Sequence, residues 1–185
     1  ESGVDFCACS GFKWLMSDLG LGFLYVREDL LGRVVQRTQV GYRSVSSYGT
    51  HFLPYDPPAD TPFTWELGET ASAFFEVGSV AGSARAALGA AIPYLREVGV
   101  ERIEAYRQPL LRLLREEMPR LGFECVTPVG TTSPIITFTM AERTGVRERL
   151  ASVGIDASIY ANHIRFSPSI YNDLADVERV LEALS

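Results

Sequence analysis

The chain has 185 residues, of which 46% are hydrophobic, and a net charge of −6. That hydrophobic share suffices for a packed core and excludes an intrinsically disordered composition, and no run of about 18 apolar residues offers a membrane-spanning helix. The arginines are dispersed among acids, as in LREEMPR and AERTGVRER, so no basic block predicts a nucleic-acid surface.

The length fits one domain, or one domain plus part of another. The opening ESGVDFCACSG matches neither a signal nor a transit peptide and reads as entry into the middle of a fold. Residues 4–9 predict a buried strand. Cys7 and Cys9 alternate along it and share one face, and with Cys125 they make an odd, low count that suits free thiols in a reducing cytoplasm. Without a CxxC pair or a histidine cluster to complete a metal site, Cys7 and Cys9 are expected to be small buried residues. SGFKWLMSDLGLG follows as a loop, with Gly20 and Gly22 placed for a tight reversal into a second strand, FLYVR. The stretch from Gly41 to Trp65, rich in Gly, Ser, Pro and aromatics, predicts a long, ordered, irregular connection.

From Ser79 the pattern becomes helical. Gly78 and Ser79 are expected to start an alanine-rich helix. VERIEAYRQPLLRLLREEMPRLGF predicts an amphipathic helix ending at Gly122, with Pro109 kinking or breaking it. A strand over 135–140, a short helix over 143–153, strands over 155–160 and 164–166, and a closing helix over 174–184 capped by Asn172 or Asp173 complete the chain. The order helix, strand, helix, strand, strand, helix makes the second half a small α+β unit. The first half resembles the last strands of a different sheet, with a boundary near Gly78.

One residue stands apart. Of the 17 Lys and Arg residues a single one, Lys13, is lysine. Arg serves as well as Lys on a solvated surface. It cannot serve where an amine must lose its proton or condense with a carbonyl, because a Schiff base needs a primary amine. Phe12 and Trp14 flank Lys13 and predict an apolar setting for it.

VDFCACSGFKWLMSDLGLGFLYVREDLL resembles the lysine segment of the class-V aminotransferases, fold-type-I enzymes that use pyridoxal 5′-phosphate (PLP). FFEVGSVAGSARAALGAAIPYLREVGVERI resembles the family's passage from the cofactor domain to the C-terminal domain, and HIRFSPSIYNDLADVERVLEAL its closing strand and helix. The resemblance implies an α/β fold: the C-terminal part of a PLP-dependent transferase, with the end of the large-domain sheet in residues 1–78 and a linking helix plus a small α+β domain in 79–185. It implies that Lys13 forms the Schiff base with PLP and moves the proton at the substrate Cα. It further implies that Ser10 touches the cofactor phosphate, that Gly78 and Ser79 reach the phosphate of a neighbouring subunit, and that Arg165 clamps the substrate α-carboxylate. The implied assembly is a cytoplasmic homodimer with shared sites acting on an amino acid. Phe12 stands where family members often carry His. Arg43, His51 and His163 receive no role, and no metal is expected.

The desulfurase branch of the family needs a nucleophilic Cys on a loop before the arginine-bearing strand. IDASIYANHIRF contains none, which leaves epimerase-, lyase- or aminotransferase-type chemistry. The family's pyridine-nitrogen and ring-stacking partners precede its lysine segment, so the chain is expected to need a missing N-terminal half; Asp5, within the strand leading to Lys13, is not taken as the pyridine partner. Two other readings stand beside this one. One is a non-catalytic or incomplete half-subunit. The other is a serine acyl enzyme, because Ser10-Gly11-Phe12-Lys13 spells S-x-x-K, with Arg143-Thr144-Gly145 and Tyr160-Ala161-Asn162 as mimics of its later elements in the wrong order.

Overall fold

The computed structural model describes residues 3–50, 63–141 and 144–185. They fall into two compact units, Glu1–Pro93 and Tyr94–Ser185, and the division lies inside a helix.

In the first unit β1 (Phe6–Ser10) pairs antiparallel with β2 (Gly22–Val26), with Phe6 opposite Val26 and Ser10 opposite Gly22. The register explains Gly22: a Cβ there would approach the Cys9 carbonyl oxygen to 2.8 Å. The expected buried strand is corrected. Phe6, Cys7 and Ala8 are exposed and Cys9 is half-buried, because a two-stranded ribbon leaves both of its faces open. Asp5 accepts a 2.6 Å ion pair from Arg27 at the ribbon's end.

The predicted irregular connection is corrected at its two ends, while its middle, 51–62, lies outside the described residues. β3 (Val45–Thr50) and β4 (Phe63–Leu67) pair antiparallel, with a register shift between Val45 and Ser47. Val, Tyr, Thr and Trp in these segments suit a pleated surface better than a coil. His51 lies outside the described residues. Before β3, Gly41 is required by sterics, since any Cβ would collide with the Val77 carbonyl. A short helix α1 (Ala71–Phe75) follows, capped by the Thr70 hydroxyl, which accepts from the Ala73 N–H.

Helix α2 (Gly82–Val98) starts later than the sequence predicts. The Arg85 N–H donates to the Ala81 carbonyl, so Ala81 occupies the capping position and Ser79 does not. Val80, whose branched Cβ disfavours a helix, stays outside it.

Helix α3 (Val100–Glu117) runs unbroken through Pro109, against expectation. Proline removes the bond to the carbonyl four residues earlier. That carbonyl belongs to Ala105, and both residues are exposed, so water can replace the lost partner. The opposite face buries Leu110, Leu111 and Leu114. A 3₁₀ turn, Met118–Leu121, ends at Gly122, whose φ of +87° a side chain would disfavour.

The second unit is built on a three-stranded antiparallel sheet in the order β5 (Ile136–Thr139), β7 (His163–Phe166), β6 (Ser158–Ile159). Alternation sorts its faces. Ile136, Phe138, Ile164 and Phe166 are buried in one core with Leu114 and Met118, with Val146 and Leu150 of α4 (Val146–Ser152), and with Val177, Val180 and Leu184 of α5 (Leu174–Leu184). Phe138 and Phe166 meet edge-to-face at 6.3 Å. Thr137, Thr139, His163 and Arg165 occupy the other face and are half-buried. β6 is shorter than predicted because the Ile155 N–H is spent on the Leu150 carbonyl at the end of α4. α4 likewise starts at Val146, behind Gly145, and Arg143 lies outside the described residues.

Helix α5 is capped as expected. Asp173 accepts from the Asp176 N–H, and the Asp176 carboxylate reaches back to the Asp173 N–H. The side-chain amide of Asn172, then that backbone N–H, then Arg179 hold the Asp176 carboxyl below the usual carboxylate range. A depressed folded-state pKa contributes stability above the unfolded value and loses it as pH falls through the folded one. The Tm of the second unit should therefore drop below about pH 4. The Asp176→Asn variant should show a shallower drop on scanning calorimetry between neutral and acid pH, and an unchanged slope would refute the assignment.

Candidate functional site

The loop bearing Lys13 is anchored at both ends. The Gly11 N–H donates to the Leu21 carbonyl at 2.8 Å, and the Ser17 N–H to the Gly11 carbonyl at 2.9 Å. Gly11 is buried, and a Cβ there would press on Leu21 O and Ser17 Cβ at 3.1 Å. The Ser17 hydroxyl reaches 2.8 Å to the Ala84 carbonyl in the first turn of α2. Inside these anchors the Met16 N–H donates to the Lys13 carbonyl, and Met16 adopts φ +54°, a left-handed conformation uncommon for a side-chain-bearing residue. The loop thus spends backbone strain to hold one conformation around Lys13.

Lys13 is exposed, and its Nζ lies 5.7 Å from the Phe12 ring centroid, at the outer limit of a cation–π contact. The expected apolar enclosure is corrected: Phe12 and Trp14 are exposed too. No carboxylate among the described residues pairs with Lys13, so its amine is open to a carbonyl compound. Ser10, exposed at the end of β1, lines a surface groove with Phe12, Gly22, Ser72 and Glu76. Gly78 and Ser79 are exposed in the segment between α1 and α2, so their backbone groups belong to a loop and not to a helix terminus. Arg43 lines a second groove with Tyr42, Tyr48 and Trp65, and its Nε donates to Glu76 Oε2 at 2.6 Å, an atom that also accepts from the Ser72 hydroxyl.

The S-x-x-K reading needs its Ser at a helix start, with the Lys one turn later. Here Ser10 closes a strand and residues 11–15 form turns, so the two side chains lack that placement.

In the second unit Arg165 sits on the central strand of the sheet, directly between Thr137 and Ser158. Its Nη2 donates to the Ser158 hydroxyl at 3.0 Å, and its Cζ lies 5.8 Å from the Tyr160 ring centroid. Its Nε is buried without a hydrogen-bond partner among the described residues. Arg165 and Ser158 border a cavity of 250 Å³ with Asp156, Asn172, Asp176 and Arg179. The Tyr160 ring is stacked on His163 at 4.4 Å and 14°, and His163 Nδ1 lies 2.9 Å from Asn162 Oδ1. Sequence reasoning passed over Ser158 and met Tyr160 only as part of a Tyr160-Ala161-Asn162 mimic, not as a neighbour of Arg165. The signal that finds them is cross-strand register: once β6 pairs with β7, Ser158 must face Arg165. β6 and β7 are joined by three residues, Tyr160, Ala161 and Asn162, and none is Cys.

Among the described residues no helix is long and apolar enough to cross a membrane, and no group of His, Cys, Asp and Glu could hold a metal ion. Cys7, Cys9 and Cys125 are free.

Comparison with known proteins adds to this geometry. Residues 1–180 match the Aminotransferase class-V family. The chain is 26% identical over 190 residues to an uncharacterized aminotransferase of Schizosaccharomyces pombe, covering 100% of this chain and 45% of that protein. Its fold matches the apo cysteine desulfurase of Thermococcus onnurineus NA1 with a TM-score of 0.78 at 22% identity, over 98% of this chain and 46% of the other. A mutant of C-DES with glycine covalently linked to its PLP cofactor matches with a TM-score of 0.74 at 26% identity, again over 98% and 46%. The chain therefore spans about half the length of the relatives it resembles.

Proposed function

Because the chain belongs to the class-V aminotransferase family, we propose that it forms part of a cytoplasmic, PLP-dependent enzyme acting at the α-carbon of an amino acid. The observation that carries this reading is Lys13, the one lysine of the chain, held on an anchored loop with no carboxylate among the described residues paired to it. The donor set fits the cofactor. Lys13 would supply the primary amine for its aldehyde and Ser10 a hydroxyl for its phosphate, while Gly78 and Ser79 would offer hydroxyl and N–H groups to the phosphate of a neighbouring subunit. When bound, PLP supplies an electron sink for charge developing at the substrate α-carbon. Lys13 then has a second task, to take and return the α-proton with its own amine, which a guanidinium always charged at ordinary pH cannot do.

Arg165 takes the substrate carboxylate. It is a fixed cation on a strand, with no acidic partner among the described residues, and its planar fork suits a carboxylate. The short, cysteine-free connection between β6 and β7 leaves no loop thiol to carry sulfur, which favours epimerase-, lyase- or aminotransferase-type chemistry over desulfuration by a persulfide. Gly78 and Ser79, exposed and lacking a capping task, suit a phosphate held across a homodimer with shared sites.

The test is incubation with PLP followed by borohydride reduction and peptide mapping. The expected result is absorbance near about 420 nm and a pyridoxyl label on Lys13. A label spread over other amines, or none, in the complete protein that contains this chain overturns the assignment. A label that forms in that protein and fails in the isolated chain shows an incomplete half-subunit that needs the remainder of the enzyme.

A further inference from the structure

We propose that Ser158 is a positioning residue for substrate: its hydroxyl sets the plane of the Arg165 guanidinium so that the guanidinium receives the substrate α-carboxylate. The proposal rests on the reading of Arg165 as the carboxylate clamp. A guanidinium on a long side chain has many rotamers, and an unrestrained one loses that freedom each time it binds. Here two neighbours restrain it. The Ser158 oxygen accepts from Nη2 at 3.0 Å, and the Tyr160 ring lies 5.8 Å from Cζ, itself held by stacking on His163.

The chemistry of the restraint matters. A carboxylate in place of Ser158 would also orient the fork, but it would neutralise the charge and occupy the donors a substrate needs. A neutral hydroxyl takes one donor and leaves the charge intact. The Nε–H of Arg165 is withdrawn from water with no acceptor in the described chain. A buried donor without an acceptor is costly, and a carboxylate oxygen is the acceptor that this group binds most strongly. Register makes the arrangement durable, because Ser158 and Arg165 are directly opposed in the β6–β7 ladder.

The experiment uses the complete PLP-loaded protein and two probes, aminooxyacetate and methoxyamine. Each displaces Lys13 from the cofactor through its aminooxy nitrogen and releases the lysine as a free amine. Only the first carries a carboxylate, so the ratio of their second-order rate constants, read from loss of the absorbance near about 420 nm, reports the clamp alone. Ser158→Ala should lower that ratio about tenfold, the loss of one charge-assisted hydrogen bond's worth of positioning. Ser158→Thr, which keeps the hydroxyl, should restore most of it and guards against a variant that merely misfolds. With substrate, KM should rise more than kcat falls. An unchanged ratio in Ser158→Ala, beside a lowered ratio in Arg165→Ala, overturns the positioning role. An unchanged ratio in Arg165→Ala overturns the clamp, and the proposal falls with it. Failure of methoxyamine to displace Lys13 in the wild-type protein is a different result: it overturns the cofactor assignment, and both later roles with it.

Discussion

Lys13→Arg and Lys13→Ala are each expected to abolish the borohydride-trapped pyridoxyl label and the absorbance near about 420 nm, and to cost turnover at least the 10²–10⁴-fold that a positioned proton carrier contributes, on the order of 10³. The arginine variant is the sharper of the two. It keeps the positive charge and the long stem, and the chain already uses Arg at every other cationic position. If charge were what position 13 supplies, Lys13→Arg would retain function. If a primary amine is what it supplies, Arg fails as completely as Ala. The surroundings add to the expectation. Lys13 carries no fold-stabilising ion pair among the described residues and is exposed, so both variants should keep the wild-type Tm when all three proteins are compared free of PLP. A loss of label together with an unchanged Tm separates chemistry from folding. Retained labelling in Lys13→Arg would remove Lys13 from the mechanism.

Phe138→Ala is expected to give the largest loss of stability in the second unit, about 3–5 kcal/mol. Phe138 is fully buried, sits on β5 directly opposite Ile164, and meets the edge of the Phe166 ring. Its removal leaves a cavity at the point where the sheet contributes to the same core as α3 and α5. With a urea slope of about 1–3 kcal/mol per molar, the unfolding midpoint of the chain should fall by roughly one to five molar. For a unit at the low end of the usual stability of about 5–15 kcal/mol, that is enough to populate the unfolded state at physiological temperature. A loss below about 1 kcal/mol would mean that the ring is not packed as described.

Local signals carried much of the fold. The β1–β2 hairpin follows from Gly20 and Gly22 between two apolar runs, and α5 from its cap and periodicity, because turns and helix starts are decided by neighbours in sequence. The element order of the second half was legible for the same reason. What sequence alone missed depends on partners far along the chain. β3 and β4 pair across a long separation, with no two-residue turn to announce them. Burial of Cys7 was inferred from the usual burial of free cysteine, which does not reveal that a strand has an open face. Pro109 breaks a helix only where the orphaned carbonyl cannot reach water, and that depends on which face it occupies. In the candidate site Lys13 was conspicuous through composition and Arg165 through resemblance, whereas Ser158 became visible once register placed it opposite Arg165.

The tie between Ser17 and the Ala84 carbonyl gives the lysine loop a lever. Ser17 lies four residues from Lys13, on the far side of the left-handed turn at Met16, and its anchor is a helix of 17 residues, about 25 Å long at the usual rise. The hydroxyl bond ties the far arm of the loop to the first turn of that helix. The loop thereby takes part of its bearing from a residue 67 positions along the chain from Ser17, so a substitution in the first turn of α2 reaches it without touching any of its own residues.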